Sequence, residues 1–154
     1  MLTEQEKLEI QEEAKHYPYP EVACLDALKI VQQHRGWVND EAVKDIAALL
    51  GTSAEKVEGV ATFYSRIYRR PVGRHVILVC DSISCMIMGY ASVYDHISGK
   101  LGIVFGETTS DNRFTLLPVS CLGNCDQAPA LMIDNELYDR VTIDNIDTLM
   151  ENYA

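Results

Sequence analysis

Up to about Tyr68 the apolar residues recur every three or four positions; beyond it they gather in short unbroken runs between polar turns. Thr3 with Glu6 three residues later fits a capping box, which predicts a polar helix through about Lys15. Tyr17-Pro18-Tyr19-Pro20 breaks it, and Pro20 stands near the first turn of a second helix that runs to about Arg35 and stops at Gly36. Cys24, Ala27, Leu28 and Val31 form its apolar stripe. A third helix is expected after Asn39 or Asp40, with Val43, Ile46, Ala47 and Leu50 on one side and Gly51 as its stop. Thr52 and Glu55 read as a second capping box, opening a fourth helix with Val57, Val60, Ala61 and Tyr64 aligned. Short amphipathic helices on short links must bury their stripes against one another, so residues 1–70 are expected to form a small helical bundle.

Around Arg70-Pro71-Val72-Gly73 the pattern changes, and His75 to Cys80 reads as a short strand of the buried kind. Helical spacing returns from Met86 to about Lys100, with Ile87, Tyr90, Ala91, Tyr94 and Ile97 on a face. Phe114 to Val119 is a second predicted strand and Ala130 to Ile133 a third. Leu137 to Val141 is expected to pair with the third through a turn at Asp134-Asn135-Glu136, and a closing helix from about Ile143 to Tyr153 follows. Residues 71–154 thus read as a small α/β sandwich with a mixed sheet.

Composition narrows the function classes. A net charge of −10, with no basic cluster longer than Arg69-Arg70, excludes the footprint of a nucleic-acid binder. That pair reads as a solvated turn. No apolar run approaches the ~20 residues needed to span a bilayer, so no direct membrane insertion is expected. The opening Met1-Leu2-Thr3-Glu4-Gln5-Glu6 is acidic, the opposite of a signal or transit peptide, so the protein is expected to sit in the compartment where it is made or to have been processed already.

The candidate chemistry lies in the cysteines. Four of the five stand in two pairs, Cys80-Asp-Ser-Ile-Ser-Cys85 and Cys121-Leu-Gly-Asn-Cys125, each in the loop after a predicted strand. Two loops at one sheet edge can bring four thiolates to one centre, two sulfurs for each of two irons. Ser82, Ser84 and Ser120 supply hydroxyls, while Gly123 and Asn124 can take positive φ and turn N–H groups toward sulfur. A helix starting near Cys85 would set its N-terminal dipole beside the ligands, and Pro129 would stiffen the exit into the next strand. Spacing alone leaves alternatives: a structural zinc site, a dithiol redox pair, or cysteines that merely pack. Zinc pairs are often C-x2-C and redox pairs more often C-x-x-C, and neither spacing occurs here, so the weight falls on an iron–sulfur cluster. The plant-type ferredoxin spacing is absent as well.

The flanking residues go further. Gly36-Trp37-Val38, Val57-Glu58-Gly59-Val60-Ala61-Thr62-Phe63-Tyr64, Gly106-Glu107-Thr108-Thr109 and Cys121-Leu122-Gly123-Asn124-Cys125-Asp126-Gln127-Ala128-Pro129 together resemble the thioredoxin-like [2Fe–2S] subunit of the NADH-dehydrogenase module of respiratory complex I. The resemblance covers essentially the whole chain. It implies an α/β fold in which a small N-terminal helical bundle precedes a thioredoxin-like [2Fe–2S] ferredoxin domain. It places one cluster on Cys80, Cys85, Cys121 and Cys125, as both metal and cofactor ligands, and no catalytic residue on this chain. It also implies a partner, the flavin-bearing NADH-oxidising subunit, with FMN and NADH on that subunit and a cytoplasmic place peripheral to the bacterial inner membrane. The Val57–Tyr64 helix would serve packing and subunit contact. Ser120, where many relatives carry an acidic residue, and Met86 and Met88 beside the first pair are departures that would tune the potential. The same architecture occurs in NAD-coupled hydrogenases and formate dehydrogenases, which keeps an equivalent diaphorase subunit as the alternative, beside a zinc-stapled interaction module from another class.

The remaining residues receive plainer readings. Cys24 is expected to be a buried small apolar side chain. Trp37, Tyr17 and Tyr19 are packing or interface residues. His16, His34, His75 and His96 share no ligand spacing, and no G-x-G-x-x-G or Walker loop is present for a nucleotide.

Overall fold

The computed structural model describes residues 1–153. Backbone contacts divide the chain into two compact units, Met1–Pro71 and a second beginning at Val72.

The first unit is helical: α1 Glu4–Ala14, α2 Cys24–Arg35, α3 Asp40–Leu50 and α4 Ala54–Phe63. Both halves of the Thr3/Glu6 capping box form, with the Glu6 amide donating to Thr3 Oγ1 and the Thr3 amide to Glu6 Oε2. Pro20–Ala23 is a single 3₁₀ turn that leads into α2, and Gly36 ends α2 in the left-handed region. The predicted stripe of α2 is buried as expected, and Ile10, Leu28, Val31, Val38, Ile46 and Val57 fill one core.

Two expectations in this unit are corrected. Ser53, not Thr52, caps α4, its hydroxyl accepting from the Lys56 amide at 3.3 Å. Thr52 is one residue too early because its own N–H donates to the Ala47 carbonyl at 2.9 Å, closing α3. Nor is Arg69 a solvated turn residue. Its side chain, 18% exposed, donates to Asp40, to Glu58 and to the Val38 carbonyl. On α4 only Val57 and Ala61 are buried, while Phe63 and Tyr64 stay exposed.

The second unit is a four-stranded sheet of order β2-β1-β3-β4, with β1 His75–Cys80, β2 Phe114–Val119, β3 Leu131–Ile133 and β4 Glu136–Tyr138. β1 runs parallel to β2 and antiparallel to β3, and β3 antiparallel to β4, so the sheet is mixed. Helices α5 Ile83–Ile87 and α6 Tyr90–Leu101 connect β1 toward β2, and α7 Ile146–Glu151 follows the hairpin. Ile77, Val79, Val93, Ile97, Phe114, Leu116, Ile133 and Ile146 make a second core.

Three boundaries differ from the expected ones. The helix predicted from Met86 begins at Ile83 and is interrupted at Gly89, whose φ of 111° no right-handed helix contains; Ile87 faces out as a result. The hairpin turn is two residues, Asp134-Asn135, so Glu136 lies in the strand opposite Ile133. Asp134, at φ 54°, accepts from the Val76 amide at 2.9 Å and pairs with His75 Nδ1 at 2.7 Å, which ties the turn to the start of β1. The closing helix starts only at Ile146, because the Asn145 side chain accepts from the Thr142 amide and holds residues 142–145 in a turn, leaving Ile143 exposed.

Candidate metal centre

Parallel pairing of β1 with β2 puts their C-terminal ends at the same sheet edge, and the register sets Cys80 opposite Val119. Both cysteine pairs leave from that edge. Cys80 is the last residue of β1, and its amide donates to the Ala130 carbonyl at 3.2 Å. Asp81 ties the outgoing loop to β2 through the Val119 carbonyl at 3.0 Å. Cys85 lies inside α5, 1% exposed. Cys121 stands two residues beyond β2, and Cys125 opens a 3₁₀ turn, Cys125–Gln127; both are exposed.

The Sγ atoms of Cys121 and Cys125 are 3.7 Å apart. Two thiolates on one tetrahedral metal with bonds of ~2.3 Å stand about 3.8 Å apart, so this pair is already at ligand spacing. The other two thiols are close neighbours. Cys85 senses both Cys80 and Cys125, and Cys121 senses Cys80. Among the described residues no group of three or more His, Cys, Asp or Glu side chains closes on a position that one metal ion would fill. A two-iron cluster takes two sulfurs at each end, and the all-thiolate donor set suits iron–sulfur chemistry.

The electrostatics differ from sulfur to sulfur. The Gly123 amide, 3.3 Å from Cys121 Sγ, pulls that thiol's pKa down, helped by the Ser82 hydroxyl. Cys125 is pushed up, chiefly by the adjacent Cys121 sulfur and against the opposing Ser84 hydroxyl. Burial pushes Cys85 up, with the Ala130 amide acting the other way. Gly123 takes the positive φ expected of it, 76°, whereas Asn124 sits at −116° and turns no amide by that route. One N–H is enough here, since the glycine turn already delivers it. The donor that sequence reasoning misses is the Ala130 amide; nothing in the local sequence marks it, because it reaches Cys85 only through the sheet.

The remaining candidates lie elsewhere. Cys24 is buried in the helical unit, where desolvation raises its thiol pKa. His16, His34, His75 and His96 each face a carboxylate: Glu13, Glu9, Asp134 and Asp147. No helix among the described residues is long and apolar enough to cross a membrane.

Residues 10–154 match the thioredoxin-like [2Fe–2S] ferredoxin family. The chain belongs to that family. Its cofactor is therefore one [2Fe–2S] cluster, and the paired thiols at the sheet edge fit it. Among curated proteins the chain is similar to the E-type subunit of NADH-quinone oxidoreductase from Pseudomonas aeruginosa, 55% identical over 154 residues, covering 100% of this chain and 93% of that one. The Escherichia coli protein of the same name is 51% identical over 152 residues, covering 99% and 92%. Among solved structures this ferredoxin resembles part of an NAD+-reducing [NiFe]-hydrogenase in its air-oxidized state, with a TM-score of 0.70 and 26% identity. That match covers 85% of this chain and 22% of the hydrogenase chain.

Proposed function

We propose that this ferredoxin is the electron-carrying E-type subunit of an NADH-quinone oxidoreductase, with Cys80, Cys85, Cys121 and Cys125 as the cluster's ligands. The observation that carries the ligand assignment is the meeting of both cysteine pairs at one edge of the sheet, with Cys121 and Cys125 at 3.7 Å. A [2Fe–2S] cluster, when bound, takes up and returns a single electron. The chain's own part is to fix four thiolates, to present the Gly123 amide to Cys121, and to keep Cys80 and Cys85 from water. Full-length identity of 51–55% to the two bacterial quinone-reductase subunits supports the choice of complex.

The electron source is a flavin-bearing NADH-oxidising partner that carries FMN and binds NADH. Two features support it: the sequence offers no nucleotide-binding loop, and Ile83, Met86, Ile87 and Met88 stay exposed on and just after α5, beside Cys85, as an apolar surface for a second chain to cover. The complex attaches to the bacterial inner membrane through its other subunits. The hydrogenase likeness favours a second reading, a diaphorase subunit of an NAD-coupled hydrogenase, at much lower identity.

Anaerobic absorption with low-temperature EPR, as isolated and after dithionite, tests the cluster. A brown protein whose S = 1/2 signal appears on reduction is expected. A colourless protein that resists iron–sulfide reconstitution and holds stoichiometric zinc would overturn the redox reading. Co-purification with the FMN-bearing subunit of a quinone reductase, rather than of a hydrogenase, decides between the two complexes.

A further inference from the structure

We propose that Asn145, an exposed residue just before α7, is a positioning residue for the cluster: it clamps the chain beyond β4, which in turn holds the exit of the second cysteine loop, and with it Cys125, in place against Cys80. The inference rests on the ligand assignment above.

The second cysteine loop leaves through residues 127–130, and their carbonyls are gripped from two sides. On one side the Cys80 amide donates to the Ala130 carbonyl at 3.2 Å. On the other, the Arg140 amide donates to the Gln127 carbonyl at 2.8 Å and the Val141 amide to the Pro129 carbonyl at 3.0 Å. Gln127 closes the 3₁₀ turn that Cys125 opens. One short stretch therefore places a ligand from each pair: Cys80 is bonded to it directly, and Cys125 is two residues from its first held carbonyl.

The gripping segment keeps an unfavourable backbone shape. Arg140 sits at φ 45°, in the left-handed region that a residue with a Cβ enters at a cost. Val141 is buried and anchors the segment in the core of the sheet. Asn145 fixes the peptide groups on both sides of Val141. Its Nδ2 donates to the Arg140 carbonyl at 3.2 Å, and its Oδ1 accepts from the Thr142 amide at 2.8 Å. The clamp has a firm base, because the Thr142 carbonyl accepts from the Asn145 and Ile146 amides at 3.2 and 3.0 Å and Ile146 is fully buried. Water can replace either side-chain bond after truncation, but it cannot hold two peptide planes in one orientation. Partners outside the ligand shell orient the ligands in this way.

The test uses the full chain with its cluster, in four forms: wild type, Asn145→Ala, Asn145→Asp and Asp147→Ala. Asp147 serves as the control. It sits on the same helix but pairs with His96 and Lys100, not with residues 140–142. Iron release to a chelator and the EPR spectrum of the reduced cluster are read for each. Asn145→Ala should release iron about two- to tenfold faster, the range expected for one net hydrogen bond, and should shift the EPR spectrum. Asn145→Asp keeps the acceptor for Thr142 but loses the donor to Arg140, so it too should release iron faster than wild type. The Asp147→Ala variant should match wild type in both readings, which separates positioning from a general loosening of α7. If Asn145→Ala does not fold, the aspartate variant carries the same comparison. Wild-type release and an unchanged spectrum in the Asn145 variants, or equal effects in Asp147→Ala, would overturn the inference. A wild-type chain that takes up no iron and sulfide, or a cluster indifferent to Cys125→Ser, would instead sink the ligand assignment on which it stands.

Discussion

Arg35, at the end of α2, grips Glu6, in the first turn of α1, at both carboxylate oxygens: Nε to Oε1 and Nη2 to Oε2, each 2.6 Å. Glu6 is only 1% exposed, and the same carboxylate also accepts from the Thr3 amide. One residue thus closes the capping box and fastens α1 to α2. Arg35, as the largest cause, holds the Glu6 carboxyl down to about 2, against an ordinary value of 4.5. A depressed folded pKa means that the unfolded chain protonates first on acidification. The stabilisation is present in full above about pH 5 and drains away as the pH falls toward 2. Its size is of the order of 3 kcal/mol. Glu6→Gln keeps a capping acceptor and removes the charge. It should cost roughly that much at pH 7 and flatten the stability profile between pH 5 and 2, as read by urea unfolding at several pH values.

Arg69 makes a comparable fork within the helical unit, joining Asp40 at the start of α3 to Glu58 on α4, with the Val38 carbonyl as a third acceptor. Asp40 is exposed and adds little; the half-buried guanidinium and the backbone carbonyl carry the effect. Arg69→Met should destabilise the unit by about 1–3 kcal/mol, because the Val38 carbonyl loses its side-chain donor. Arg69→Lys should recover only part of this, as a point charge cannot bridge three acceptors. Thermal unfolding of the full chain reads both; a methionine variant as stable as the parent would contradict the account.

How far the sequence can be read depends on the range of the forces involved. The helices of the first unit are legible because caps and stripes are local: Thr3, Asn39, Gly36 and Gly51 act within one turn of themselves. The boundaries that shift are set by competition. Thr52 is spent on closing α3, and Asn145 on a turn before α7. Arg69 escapes a local reading because its partners lie 11 to 31 residues away. At the cysteines, pairing in sequence foretells pairing at the sheet edge, since loops after parallel neighbours emerge together. That Cys85 is buried while Cys121 and Cys125 stay exposed is not legible, for it depends on how α5 packs beside the second loop.

Gly123 is where backbone conformation and sulfur chemistry meet. Its φ of 76° lies in the left-handed region, and this turn aims its N–H at Cys121 Sγ. A Cβ placed there would meet nothing within 4 Å, so the cost of a side chain is backbone strain rather than a clash. Gly123→Ala should cost about 1–2 kcal/mol in the loop, and Gly123→Val more, whereas Gly123→Asn is the best tolerated. The expected readout is faster iron release to a chelator in the order Val, Ala, Asn, wild type. If valine released iron no faster than asparagine, strain at this turn would be irrelevant to cluster retention.

The five cysteines should separate cleanly under substitution. Cys85 is nearly inaccessible and sits among the other thiols, so Cys85→Ala leaves an iron without a thiolate and no water-lined gap to replace it. Loss of essentially all iron, sulfide and visible absorption is expected, and the same holds for Cys80→Ala. Cys121 and Cys125 are exposed, so serine at either position can offer an oxygen ligand with solvent help. Cys121→Ser and Cys125→Ser should therefore retain part of the cluster with a shifted EPR spectrum and a lower potential. Cys24 lies in the other unit, packed with the apolar core of the helices. Cys24→Ala deletes one buried sulfur and should cost about 1 kcal/mol of stability while leaving iron content and potential at wild-type values. Iron analysis with EPR across the set checks every arm. A Cys24 variant without iron, or a Cys85 variant with a full complement, would show that the ligands have been assigned to the wrong sulfurs.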